Sequence, residues 1–318
     1  MALLEVQNIN KTQQDRIIVD DISFKQNILQ RIAVTGESGS GKTTLLKMIS
    51  GHAQPTVGIV LFDGKRVIGP EEKLLPGHPS IAYLSQHYEL LNNYRVEELI
   101  WFENKLSEAT ATALFRICRI HHLLQRRTGQ LSGGEKQRIA LCMLLVKQPR
   151  MLVLDEPFSN LDLIHKEILK AVLEDIREQL QVTCMLASHD PHDTLSWADE
   201  ILVMKEGKLL QQGTPQEVYH KPVDEYVAGL FGKYNLLKPH IAVLFGIDSN
   251  GEDVMTRPEN FRIYKTGNGV KGMIQKISFW GSYYEAEVVI DDAKIIVRTN
   301  ANELQPGNKI ILRITDKE

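Results

Sequence analysis

The segment Gly36-Glu-Ser-Gly-Ser-Gly41-Lys42-Thr43 constrains this chain more than any other, because three glycines in six residues stay ordered only where bare backbone is needed. It follows the apolar run Arg31-Ile-Ala-Val-Thr35, which predicts a strand. It precedes Leu45, Leu46 and Ile49 at helical spacing, closed by Gly51. Strand, G-x-x-x-x-G-K-[ST] and helix together predict a phosphate cradle. Backbone N–H groups of Gly36, Ser38, Gly39, Ser40, Gly41 and Thr44 turn toward an anion, Lys42 meets the outer phosphates, and the Thr43 hydroxyl faces Mg²⁺.

The rest of the chain suits an α/β protein of two parts. Length is 318 residues, and apolar and charged fractions of 43% and 24% are those of an ordinary globular chain. The net charge of −3 gives no reason to expect nucleic acid as a partner. The longest apolar run, Ile139 to Val146, is far too short for a membrane span, which predicts a cytoplasmic protein. Cys118, Cys142 and Cys184 stand apart among apolar neighbours and read as reduced core thiols. Up to about residue 235 strand-like runs alternate with helical segments, the pattern of a largely parallel sheet, with a helical insertion over about 87–147. Residues 236–318 shift to short strands divided by Gly, Asp and Pro-Gly turns, and predict a small β-barrel.

Two further strands should share the loop's edge of the sheet. Met151-Leu-Val-Leu154 ends in Asp155-Glu156-Pro157, and Val182-Thr-Cys-Met-Leu-Ala187 ends in Ser188-His189-Asp190. Ligands in open α/β sheets lie beyond the carboxyl ends of the strands, so these endings are expected to converge. Asp155 then suits Mg²⁺, Glu156 suits a base for an attacking water, and His189 reaches the same pocket. In Leu131-Ser132-Gly133-Gly134-Glu135-Lys136-Gln137-Arg138, Ser132 and Glu135 fit a helix capping box. Two glycines in a first helical turn weaken it by about 1 kcal/mol each, which a second anion approaching bare N–H groups would explain.

With these strings in place the chain resembles the ATP-hydrolysing subunit of an ATP-binding-cassette (ABC) transporter. The resemblance covers about residues 1–235, a P-loop NTPase cassette of α/β class with a helical insertion. It implies ATP and Mg²⁺ as cofactors, Thr43, Gln86 and Asp155 as metal-site residues, and Glu156, His189 and Gln86 as catalytic ones. It also implies a head-to-tail dimer in which Ser132, Gly133, Gly134 and Asp162 of a second copy close over the nucleotide on the Lys42 loop. The partners implied are that second copy and integral membrane permease subunits, with the chain peripheral on the cytoplasmic face. Thr256-Arg257-Pro258-Glu259-Asn260 and the strands after it are similar to the TOBE-like, oligonucleotide-binding-like barrel appended to importers, which points to solute import. A soluble regulatory ATPase or ligand-gated module is the competing reading. Two departures stand out: Gln13 occupies the place where relatives stack an aromatic on adenine, and the helical segment between Gln86 and Leu131 is short for an importer and lacks the usual proline in its approach, Leu90-Leu-Asn-Asn-Tyr-Arg-Val96. The first predicts weaker, less base-selective nucleotide binding; the second suggests an unusual membrane partner.

Overall fold

A computed structural model describes residues 2–86, 89–104 and 106–315. His87 and Tyr88, where the expected helical insertion begins, and the last three residues of the expected barrel lie outside the described residues. By internal contacts the chain forms two compact units, 1–216 and 217–318.

Among the described residues, the first unit carries two sheets with a helix buried between them. An antiparallel sheet orders its strands Arg16–Asn27, Ala2–Gln13, Val57–Phe62 and Lys65–Arg66. The first two form a hairpin turned by Gln14 and Asp15, both at positive φ (48° and 59°), as a tight two-residue turn between twisted strands requires. The six-stranded sheet runs Lys208–Gly213, Glu200–Lys205, Ile32–Thr35, Thr183–Ala187, Met151–Asp155 and Ile81–Leu84. Its last five strands are parallel, and Ile32–Thr35, Thr183–Ala187 and Met151–Asp155 are buried at every position. Strands covered on both faces have no polar side to show, which is why they read as continuous apolar runs. The helix Lys42–Ile49 buries Leu45, Leu46, Met48 and Ile49 against Val34, Val153 and Met185 of this sheet and Leu4, Ile22 and Phe24 of the other.

The insertion is helical, with Val96–Glu103, Glu108–Ile117 and Gly133–Leu145. Ser107 caps the second of these, accepting from the Thr110 N–H. The third ends at Val146, ahead of Pro149, which cannot continue a helix. All three cysteines are buried and reduced.

In the second unit the antiparallel order is Phe261–Tyr264, Lys309–Ile314, Val270–Phe279, Tyr284–Ile290 and Ala293–Thr299. Ala286, Val288 and Ile290 point inward at every second position, meeting Ile295, Val297, Phe261 and Leu312. Within this unit Arg257 is a central tie. Its buried guanidinium donates to the carbonyls of Tyr219 (3.0 and 2.9 Å), Ala228 (2.9 Å), Gly232 (3.2 Å) and Lys233 (3.2 Å), and lies 4.2 Å above the Tyr219 ring. Residues 219–233 are thereby fastened to the barrel's own unit.

Candidate active site

Three neighbouring strands of the parallel sheet, Ile32–Thr35, Thr183–Ala187 and Met151–Asp155, deliver Lys42, Thr43, Asp155, Glu156 and His189 to one edge. The loop 36–41 is shaped by positive φ at Gly36 (148°), Gly39 (85°) and Gly41 (100°). At two of these glycines space also forbids a side chain: a Cβ on Gly36 would overlap the Met204 carbonyl, and one on Gly41 the Ile18 carbonyl. The hairpin and the strand Glu200–Lys205 grip the loop, for Gly207 donates to the Ser40 carbonyl (3.1 Å) and Asp20 donates to that of Gly207 (2.9 Å).

The residues present fit a phosphate. The helix Lys42–Ile49 begins after Gly41 with no side-chain cap, so its first turn offers uncapped backbone donors. The Ser40 hydroxyl is buried and has no hydrogen-bond partner, the kind of orphan an entering oxyanion satisfies. The Lys42 ammonium, buried, donates to the carbonyls of Gly36 (2.7 Å) and Glu37 (2.9 Å). Burial pushes its pKa below the ordinary lysine value, against the raising effect of Glu156 and Asp155.

The residues also fit a hard divalent cation. Asp155, 3% exposed, accepts from the Thr43 hydroxyl at Oδ1 (3.2 Å) and from the Tyr83 hydroxyl at Oδ2 (2.9 Å). Hydroxyl and carboxylate oxygens beside a phosphate cradle are the donor set Mg²⁺ prefers. Burial first, then the Asp155 charge and hydrogen bond, hold the Tyr83 phenol well above its ordinary pKa, so it stays a donor. Gln86 sits exposed just beyond the strand Ile81–Leu84, which is parallel to Met151–Asp155.

Glu156 adopts φ 51° in the left-handed region, costly for a residue with a Cβ. It is held there by its N–H to the Ala187 carbonyl (3.0 Å) and by Ser159, whose hydroxyl donates to the Glu156 carbonyl (2.8 Å). Both carboxylate oxygens lie 2.9 Å from Nδ1 of His189. A carboxylate oxygen accepts, so Nδ1–H is the donor of this contact.

The second glycine motif is built differently. Ser132 caps the helix Gly133–Leu145: its hydroxyl accepts from the Glu135 N–H (3.3 Å) and its own N–H donates to the Glu135 carboxylate (2.8 Å). Burial raises the Glu135 carboxyl, but the Ser132 bonds and the nearby Arg126 and Arg138 outweigh it and leave it below the ordinary range. Gly133 has open space where a Cβ would stand, whereas a Cβ on Gly134 would strike the His165 ring, so packing alone accounts for the second glycine. Asp162 caps the helix Leu163–Leu180, accepting from the His165 N–H (2.8 Å) and contacting its ring Nδ1 (2.8 Å). Sequence reasoning missed two residues. Tyr83 is one. The other is Gln137, buried, whose amide donates to the Pro157 carbonyl just past Asp155-Glu156. Gln13 is exposed at the hairpin end with Arg16 and Ile17. Among the described residues no helix is long and apolar enough to cross a membrane.

Comparison with known proteins agrees with this geometry. The family model described as ABC transporter matches residues 19–159, and that of the TOBE domain matches residues 254–317. The chain is 30% identical to the Fe(3+) ions import ATP-binding protein FbpC 1 of Rhodococcus jostii, over 99% of this chain and 97% of that one. It is 30% identical to the sulfate/thiosulfate import ATP-binding protein CysA of Synechocystis (97% and 92%) and 31% identical to the spermidine/putrescine import ATP-binding protein PotA of Bacillus cereus (93% and 87%). Among solved structures, cbiO1 from Clostridium perfringens, part of the ABC transporter complex cbiONQ, is similar at 27% identity and TM-score 0.60, over 68% of this chain and 90% of that one.

Proposed function

Because the chain belongs to the ABC transporter family and is an ATPase of the import ATP-binding type, we propose that two copies close head to tail around ATP to drive solute import through separate membrane subunits. In this reading Lys42 exchanges its bonds to the Gly36 and Glu37 carbonyls for the β and γ phosphates, and the N–H groups of the uncapped first turn of the helix Lys42–Ile49 and the Ser40 hydroxyl bind the same oxygens. Thr43, Asp155 and Gln86 would hold Mg²⁺, which when bound neutralises charge on the β and γ oxygens. Glu156 orients the attacking water and accepts its proton. His189 fixes the carboxylate through Nδ1–H, and with Nε2 also protonated it would donate to a γ-phosphate oxygen.

The second copy contributes Ser132, Gly133, Gly134 and Asp162. What supports this reading is the pairing of an anion cradle at the uncapped start of the helix Lys42–Ile49 with a second glycine helix start, at Gly133, where a Cβ would meet open space. ATP-driven closure then moves the helical insertion, and with it permease subunits on the cytoplasmic face of the membrane. The relatives' names cover ferric ions, sulfate, thiosulfate and polyamines, all small solutes, and the path of the solute lies in the other chains.

The test mixes two inactive variants. Lys42→Ala removes the cradle's cation and Ser132→Arg blocks the closing helix end. A mixture forms dimers with one intact composite site and is expected to regain a substantial part of wild-type ATPase activity. Absence of any recovery, with both variants folded, would remove the shared site.

A further inference from the structure

The Asp155 carboxylate is held from two sides, and the two contacts differ in kind. Thr43 approaches Oδ1 from the exposed mouth of the loop. Tyr83 approaches Oδ2 from within the protein, half-buried on the neighbouring strand, opposite Val153 in register. Its ring is backed by the His52 ring, 5.1 Å between centroids, and His52 Nδ1 is 2.9 Å from the Ser50 hydroxyl. Ser50 is the C-cap of the helix whose first turn carries Lys42 and Thr43. Ser50, His52, Tyr83 and Asp155 therefore close a loop of contacts that starts and ends on one helix and fixes the Thr43 hydroxyl relative to the carboxylate.

We propose that Tyr83 is a positioning residue for the divalent cation: by donating to Oδ2 it fixes the rotation of the Asp155 carboxylate and keeps Oδ1 facing Thr43. This rests on the nucleotide and Mg²⁺ reading given above. Without the phenol, Oδ2 would be a buried acceptor with no donor, and the carboxylate would turn to find one. Groups that orient a metal's ligands without touching the metal commonly change its affinity by about 10- to 100-fold.

The experiment reads metal binding directly, on the full chain with ADP bound. Free Mn²⁺ is followed by electron paramagnetic resonance, and fluorescent ATP binding is measured separately in EDTA. Tyr83→Phe is expected to weaken Mn²⁺ about tenfold while leaving metal-free nucleotide binding within about twofold of wild type. His52→Leu, which keeps the hydroxyl but removes the ring fixed by Ser50, should shift Mn²⁺ in the same direction by a smaller factor. Since Tyr83 acts through Asp155, adding Tyr83→Phe to Asp155→Asn should weaken Mn²⁺ no further. Unchanged Mn²⁺ affinity in Tyr83→Phe overturns the proposal. So does an equal loss of nucleotide binding in EDTA, or a full additional loss in the double variant. Failure of the wild-type chain to bind nucleotide at all would instead bring down the underlying reading of the site.

Discussion

The glycine loop at 36–43 and the glycine motif at 132–134 both start helices, yet they are built on opposite plans. The first is gripped from around: Gly36 and Gly41 have no room for a Cβ, its lysine is buried, and hairpin, sheet and helix all hold it. The second rests on its own capping box, with Ser132 and Glu135 satisfying each other. The difference teaches which half is rigid. The first loop is set by tertiary contacts around it, whereas the second helix start is held mainly by bonds within its own first turn, with His165 packed against Gly134.

The comparison can be broken most forcefully at Lys42. Lys42→Ala is expected to lower ATPase turnover by about a thousandfold, because it removes the buried cation of the glycine loop; steady-state phosphate release measures this, and near-normal turnover would end the rigid-half argument. Glu156→Gln should cut turnover by at least about a hundredfold while keeping ATP bound and trapping a dimer visible by size-exclusion chromatography. At the rim of the rigid half, Gln13→Tyr should tighten ATP binding about tenfold and shift selectivity toward ATP over GTP relative to the parent chain, checked by competition titration. The smallest effect belongs to the locally built half. Glu135→Gln should cost about 1 kcal/mol of stability at neutral pH, read from denaturant unfolding. Because the folded carboxyl is held below its ordinary value, its contribution is present above the unfolded pKa and fades as pH falls through the folded one. The gap between variant and parent should therefore shrink below about pH 4.

Features set by local rules were legible in the sequence. The Ser132–Glu135 box, the stop before Pro149, the buried strands and the convergence of three strand ends all follow from spacing and composition. Features set by which strand lies beside which were not. Tyr83 reads as one more apolar strand residue until Ile81–Leu84 is seen parallel to Met151–Asp155, and Gln137 reads as a polar helix position until its amide meets Pro157. In the N-terminal hairpin, register shifts around Leu4 and Ile9 spoil the alternation that marks a strand.

The grip of Arg257 on the peptide oxygens of Tyr219, Ala228, Gly232 and Lys233 bears on how the protein can be dissected. A fragment started at residue 236 would keep the arginine and discard all four acceptors, leaving a buried guanidinium without them; one started before Glu217 would carry its own counterparts and should survive severing from the ATPase.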